Sequence, residues 1–134
     1  MNKSLTIRDC ANLIELACIE RIAENLPCAG DLHISVTVNS NGFTGLGETW
    51  IASPEFSQFL TALRSLEETR DGHAVVESIS PGEFRLEFLS TDKFGHMAVS
   101  GRISQRNHSL EYYFDFCPSL FPKITAYFDG LIAL

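Results

Sequence analysis

The sequence predicts an α+β fold in which antiparallel β-sheets carry two helices, arranged as two successive ββββα units. Three observations support this prediction: two apolar stripes with helical spacing, several segments that alternate between apolar and polar residues, and turn signals between those segments. The chain has 134 residues, which fits one domain spanning residues 1–134 with a sizeable core.

The first helix is predicted over about residues 54–68. Ser53 is the expected N-cap, Pro54 suits the first helical position, and Glu55 complements the positive end of the helix dipole. Asp71–Gly72 supplies the turn signal that ends the segment. The apolar stripe, spaced by three or four residues, consists of Phe56, Phe59, Leu60, Leu63 and Leu66.

A second helix is predicted near the C-terminus, over about residues 120–130. Pro122 is compatible with it because proline is tolerated in the first turn of a helix. The apolar face of this helix consists of Leu120, Ile124, Tyr127, Phe128 and Leu131. Aligning Pro54 with Pro118 pairs the apolar positions of the two helices, which favours a duplicated unit.

Most of the remaining segments are predicted to be strands. Residues 32–38 alternate strictly, Ser40-Asn41-Gly42 is a hairpin signal, and Phe43–Ile51 returns as the partner strand. Gly45 and Gly47 are interpreted as bulge positions in that strand. Four further strands are predicted over residues 75–80, 84–89, 96–104 and 110–116.

The first thirty residues give a weaker pattern. Leu5–Arg8 fits a short strand. Residues 13–22 satisfy both a strand pattern and an alanine-containing helix pattern, so residues 10–25 stay open between the two, with strand as the preferred interpretation.

The composition is acidic, with 10 Lys and Arg against 17 Asp and Glu and a net charge of −7. A general nucleic-acid binder needs a basic face for phosphates, so direct nucleic-acid binding is not expected, whereas a basic protein partner is compatible. No apolar stretch approaches the roughly 20 residues of a membrane span, and the N-terminus lacks the apolar core of a secretory signal. We therefore expect a cytoplasmic protein whose four cysteines are reduced thiols.

No motif predicts catalysis. Histidines 33, 73, 96 and 108 form neither an H-E-x-x-H motif nor a pair spaced by four residues, as a zinc site on a helix would require. The glycine-rich segment 42–47 precedes a strand, whereas phosphate-binding loops follow one and open a helix. The sequence therefore predicts no catalytic residue, no metal and no cofactor, and the chain is not expected to be an enzyme.

The whole-chain pattern from Asp31 to Leu131, about three-quarters of the sequence, resembles the WapI-like immunity proteins of contact-dependent growth inhibition. The residues that carry the resemblance are Gly42-Phe43-Thr44-Gly45, Phe56-x-x-Phe59-Leu60-x-x-Leu63-x-x-Leu66, Phe84-Arg85-Leu86-Glu87-Phe88, Gly95-His96-x-x-Val99-x-Gly101 and Leu110-x-x-x-Phe114. The resemblance implies a whirly-like duplicated architecture and a protein that binds and neutralises a cognate toxin domain, typically a nuclease.

An acidic inhibitor can cover the basic substrate groove of a nuclease, and complementary charge accelerates the capture of such a partner. The candidate toxin contacts are the carboxylates at the end of the first helix, in the loop before residue 96 and on the last strand: Glu67, Glu68, Asp71, Asp92, Glu111 and Asp115. Glu111 and Asp115 are expected to share one strand face because their separation is even.

Two other functions remain open at this point. A whirly-like single-stranded nucleic-acid-binding protein is one, although the net charge of −7 argues against it. A small hydrolase is the other, and a deep pocket that holds His96 together with a carboxylate would favour it.

Overall fold

A computed structural model describes residues 4–132 of the chain. Eight strands and two helices follow one another in the order predicted, four strands and a helix followed by four strands and a helix. Their bounds are β1 Ser4–Asp9, β2 Asn12–Arg21, β3 Leu32–Ser40, β4 Phe43–Ile51, α1 Ser53–Thr69, β5 His73–Glu77, β6 Phe84–Ser90, β7 Met97–Gln105, β8 His108–Phe116 and α2 Phe121–Ile132.

The first four strands form one antiparallel sheet in the order β1-β2-β3-β4, which we call sheet 1. The segment that fitted both strand and helix patterns is a strand, β2, with Ile14 opposite Val38 and Leu16 opposite Val36. Its apolar residues face the core because they alternate with exposed residues such as Glu15. The register of β2 shifts once, between Cys18 and Glu20.

The predicted β3–β4 hairpin is confirmed. Asn41 and Gly42 both have positive φ, 50° and 85°, as the two central residues of a tight type I′ hairpin turn require. The predicted bulge at Gly45 and Gly47 is wrong, because β4 pairs with β3 in unbroken register from Ile51 to Phe43. The two glycines have another role, since they lie under the second sheet, where a Cβ on either would lie 3.0–3.1 Å from the Ile103 side chain.

The last four strands form sheet 2 in the order β5-β6-β7-β8, also antiparallel throughout. Its inner face carries the aromatic residues Phe84, Phe88, Phe114 and Phe116, all buried. The two sheets thus repeat one topology, and each is followed by a helix. The predicted α+β fold with two ββββα units is confirmed.

Both helices are where the spacing of apolar residues predicts them, although the predicted cap of α1 is wrong. The N-cap of α1 is Ala52, which has no side-chain capping bond. The backbone N–H of Ser53 instead donates to Asp31 Oδ1 at 2.8 Å, so a carboxylate from the loop before β3 supplies the acceptor. A 3₁₀ turn, Pro118–Leu120, leads into α2.

A single hydrophobic cluster joins both sheets and both helices. The α1 and α2 helices meet at Phe59 and Phe128, whose rings lie 5.1 Å apart edge to face, and both rings contact Phe88 on the inner face of sheet 2. The prediction that both helices pack on sheet faces is therefore confirmed. Edge-to-face pairs of this kind add to the stabilisation from apolar burial alone.

Candidate functional site

The connection between β6 and β7 forms an ordered loop, Asp92 to His96, which we call the Phe94 loop. Asp92 Oδ1 accepts hydrogen bonds from the backbone N–H groups of Phe94, at 2.7 Å, and His96, at 3.3 Å. Gly95 has φ +88°, a conformation that glycine adopts without strain. These contacts hold the loop in one conformation, in which the Phe94 side chain is 84% exposed.

The imidazole of His96 reinforces this loop. Its Nδ1 lies 2.5 Å from Asp92 Oδ2. The hydrogen bond and the charge of Asp92 raise the pKa of His96 above its usual 6.5, and the nearby Asp115 carboxylate adds to this rise. The hydrogen bond from His96 in turn lowers the pKa of Asp92 below 3.8. Both shifts favour the ion pair, an Asp92 carboxylate beside a protonated His96.

A groove of about 520 Å³ runs between the end of α1 and the Phe94 loop. Asp71 and Asp92 both line it, so the structure brings together two of the six predicted toxin contacts. Arg70 and Lys93 line it as well. The Arg70 side chain also stabilises the C-terminal end of α1, because its Nε donates to the Glu67 carbonyl at 2.9 Å. Its guanidinium lies 5.4 Å from the centre of the Phe121 ring.

The other four predicted contacts lie in two places. Glu67 and Glu68 are in the last turn of α1, where Glu68 is exposed and Glu67 is half-buried. Glu111 and Asp115 are exposed on the outer face of β8, so the prediction that they share a face is confirmed. Asp115 lies close enough to His96 to affect its pKa, whereas Glu111 lies opposite Arg102 on the neighbouring strand.

Phe94 is the surface residue that the charge-based reasoning missed. The sequence holds a signal for it, because Phe94 interrupts a polar turn, Asp92-Lys93-Phe94-Gly95, between two predicted strands. A large aromatic residue in such a turn has no strand face on which to be buried. A search for carboxylates alone passes over it.

The His96 imidazole is hydrogen-bonded to the carboxylate of Asp92. Within residues 4–132, no Ser, Thr or Cys side chain hydrogen-bonds to the His96 imidazole. In the same part of the chain no three His, Cys, Asp or Glu side chains come together to hold a metal ion. What the loop does present is an exposed aromatic ring on a hydrogen-bonded backbone, with carboxylates beside it, which suits contact with another macromolecule.

The four cysteines are free thiols. Neither α1 nor α2 has the length and apolar composition that a helix needs to cross a membrane. Comparison with known protein families, curated proteins and solved structures found no match to this chain.

Proposed function

We propose that this protein is an immunity protein that binds and neutralises a basic toxin domain, and that the Phe94 loop lies at the centre of the contact. The observation that carries this proposal is the 84% exposure of Phe94 on a loop fixed by Asp92 and His96. Aromatic residues are enriched among the few residues that supply most of the binding energy at protein interfaces.

The charges around the Phe94 loop support a basic partner. The end of α1 and the loop together carry Glu67, Glu68, Asp71 and Asp92 against Arg70 and Lys93, and Asp115 lies beside His96. The whole chain carries −7. Carboxylates at the rim of an interface accelerate the approach of a cationic partner and select against acidic ones.

The fixed conformation of the loop also favours tight binding. A loop whose backbone is already hydrogen-bonded before binding loses less conformational entropy when the complex forms. Asp92 therefore has two roles in this proposal: its carboxylate bears charge, and its hydrogen bonds to backbone N–H groups hold the loop that carries Phe94.

The test measures binding of the toxin domain encoded beside this gene, by surface plasmon resonance at low and high salt. Phe94→Ala should weaken binding by about 2 kcal/mol, close to thirtyfold, mainly through faster dissociation. Charge reversal at Asp71 and Asp115 should slow association, and high salt should remove most of that effect. Protection of cells that express the toxin should fall in parallel.

Two matched variants control for general effects. Ile19→Ala removes another exposed apolar side chain, 50% accessible on sheet 1, and should leave toxin binding unchanged. Glu15→Lys reverses a charge on the outer face of sheet 1, with the same expectation. Tight binding that is indifferent to Phe94→Ala and to the Asp71 and Asp115 reversals would reject this surface as the contact. Absence of any binding would reject the immunity function with this toxin.

A further inference from the structure

Strand β4 is an edge strand of sheet 1, and its free side is open over about half its length. The Trp50 carbonyl accepts a hydrogen bond from the Ile79 N–H at 2.9 Å, outside the β3–β4 ladder. In an antiparallel strand both backbone groups of a residue point to the same side, and this side alternates along the chain. Thr44, Leu46 and Glu48 therefore direct their N–H and C=O groups away from β3.

These outward groups have no backbone partner in the part of the chain that the structure describes. Natural proteins commonly protect such an edge with proline, lysine or a bulge. The β4 sequence contains neither proline nor lysine, and its register is unbroken. Leu46, in the middle of the open edge, is 65% exposed. The edge thus has the features of a template for a further strand.

A groove of about 660 Å³ lies on the inner side of the same edge, between β4 and the β7–β8 hairpin. Ile103 and Leu110 line it beneath Gly45, and Phe43, 68% exposed, also lines it. Its far side is polar, with Glu83, Arg106 and His108 in the lining. Gly45 and Gly47 carry no side chains into this groove, whereas Phe43 of β4 lines it. Side chains of an added strand that point inward would contact the apolar groups of Ile103 and Leu110.

A second copy of this chain fits the edge poorly. Pairing two β4 strands about a twofold axis at Leu46 places Gly45 opposite Gly47, so the groove stays empty. Two chains that each carry −7 also repel each other. A different extended segment, with apolar side chains at alternate positions, fills the groove and keeps the main-chain pairing.

The charge on the outer face of β4 indicates which residue type the binding segment would carry there. Glu48 is 62% exposed at the edge, and its Oε1 lies 3.0 Å from His33 Nε2. Opposite charges directly across an antiparallel pair are stabilising. A Lys or Arg at the position opposite Glu48 matches both this carboxylate and the net charge of the chain.

We propose that the open edge of β4, residues 44–48, binds an extended segment of a partner protein by strand addition, with apolar side chains in the groove over Ile103 and Leu110 and a Lys or Arg opposite Glu48. Main-chain hydrogen bonds supply affinity in this mode of recognition, and the groove supplies specificity. The proposal rests on β4 and the β7–β8 hairpin alone, and is independent of the immunity function and of the Phe94 loop.

The experiment uses a phage-displayed library of random dodecapeptides, selected on the full chain. Selected peptides should share alternating apolar residues and a Lys or Arg at an intervening position. Synthetic copies, measured by fluorescence anisotropy, should bind wild-type protein. In hydrogen–deuterium exchange, the amides of Thr44, Leu46 and Glu48 should exchange quickly in the free protein and become protected in the complex.

Two substitutions at one position separate backbone pairing from loss of the side chain. Leu46→Pro removes an N–H that the β3–β4 ladder does not use, so an edge strand tolerates it. Leu46→Thr keeps that N–H and suits a strand. Leu46→Pro should weaken peptide binding about tenfold more than Leu46→Thr does, as expected for a lost hydrogen bond and a blocked approach.

Each contrary result has a definite meaning. Failure to select any binding peptide, or equal binding by the proline and threonine variants without protection of the three amides, overturns the proposal. A concentration-dependent dimer that Leu46→Pro abolishes assigns the edge to a second copy and also overturns it. Peptides that depend on Phe94 and not on Leu46 support the Phe94 loop as a contact and reject the β4 edge.

Discussion

Gly101 on β7 lies where sheet 2 leaves no room for a side chain. A Cβ at this position would be 1.9 Å from the Arg85 carbonyl oxygen of the neighbouring strand and 2.5 Å from the Tyr112 hydroxyl. Tyr112 is opposite Gly101 in the register, and its hydroxyl donates to that same carbonyl at 3.1 Å. The tyrosine ring thus covers the glycine, and burial raises the pKa of Tyr112, so the hydroxyl stays protonated as a donor.

Gly101→Ala should therefore destabilise the fold by at least about 2 kcal/mol, because the added methyl group clashes with the backbone of β6, which can shift only by disturbing its pairing with β7. Tyr112→Phe should cost about 1 kcal/mol through the lost hydrogen bond. Urea unfolding followed by circular dichroism measures both. Gly130→Ala, in α2 with no atom within 4 Å of the new Cβ, is the control and should be neutral or stabilising. An unchanged midpoint for Gly101→Ala would contradict the steric argument.

Asp92→Asn tests the ion pair of the Phe94 loop. The pKa of His96 should fall towards 6.5, while Asp115 keeps part of the rise. The His96 contribution is fully present below pH 6.5 and is lost as pH rises through its raised pKa. The Asp92 contribution is present above pH 3.8 and is lost as pH falls through its lowered pKa. The loop is thus most ordered between pH 3.8 and pH 6.5, where both contributions are present.

NMR titration of the His96 ring protons measures this directly in wild type and variant. Protection of the Phe94 amide, taken relative to its intrinsic exchange rate at each pH, should be greatest within the same pH window and smaller there in Asp92→Asn, because an amide oxygen accepts more weakly than the Asp92 carboxylate. A His96 pKa that does not respond to Asp92→Asn would show that the pair is not formed in solution.

Helix α1 depends on a residue distant in sequence. Asp31 is 9% exposed and accepts from the first helical N–H through its Oδ1. A local reading of the sequence assigns the capping role to Ser53, because serine before proline is a common helix start. That assignment was wrong for a physical reason: a nearby buried carboxylate is a stronger acceptor than a serine hydroxyl, and only the fold brings it there.

Asp31→Ala should lower the free energy of unfolding by about 1 kcal/mol, the usual cost of removing a helix cap, and more if the partly buried N–H of Ser53 stays unpaired. Asp31→Asn keeps an acceptor oxygen of similar shape and should recover most of the loss. Ser53→Ala should have a smaller effect than Asp31→Ala. Thermal unfolding of the three variants ranks their stabilities. A larger loss of stability for Ser53→Ala than for Asp31→Ala would restore Ser53 as the cap.

The strands and helices themselves were largely predictable because their patterns are local. Helical spacing defines α1 from Phe56 to Leu66, and strict alternation defines β3 and β8. Residues 13–22 were ambiguous because their small and apolar residues satisfy both periods. The structure makes them strand β2, because pairing with β3 buries Ile14 and Leu16 together. The candidate site was harder to predict from the sequence. The exposure of Phe94 and the approach of Asp71 to Asp92 depend on where separate elements meet in the fold.

At the scale of the whole molecule, the two sheets meet through small residues of β4 and larger ones of the β7–β8 hairpin. A Cβ on Gly45 would lie 3.1 Å from both Ile103 and Leu110, and one on Gly47 would lie 3.0 Å from Ile103 Cδ1. The sequence shows the glycines but not their partners, about sixty residues away along the chain. From the sequence alone the two glycines therefore resemble bulge positions, and only the position of sheet 2 explains them.

Gly47→Val should destabilise the molecule by about 1–3 kcal/mol, although valine suits a strand far better than glycine. Its branched side chain forces Ile103 off its site and separates sheet 1 from sheet 2. Ile103→Val removes the Cδ1 atom that the new side chain meets and alone should cost about 0.5–1.5 kcal/mol. In the double variant the two losses should not add, because each substitution relieves the contact that the other disturbs. Chemical denaturation of the wild type, the two single variants and the double variant gives the coupling energy of this double-mutant cycle. A coupling energy near zero would mean that the sheets do not meet at Gly47 and Ile103 in solution.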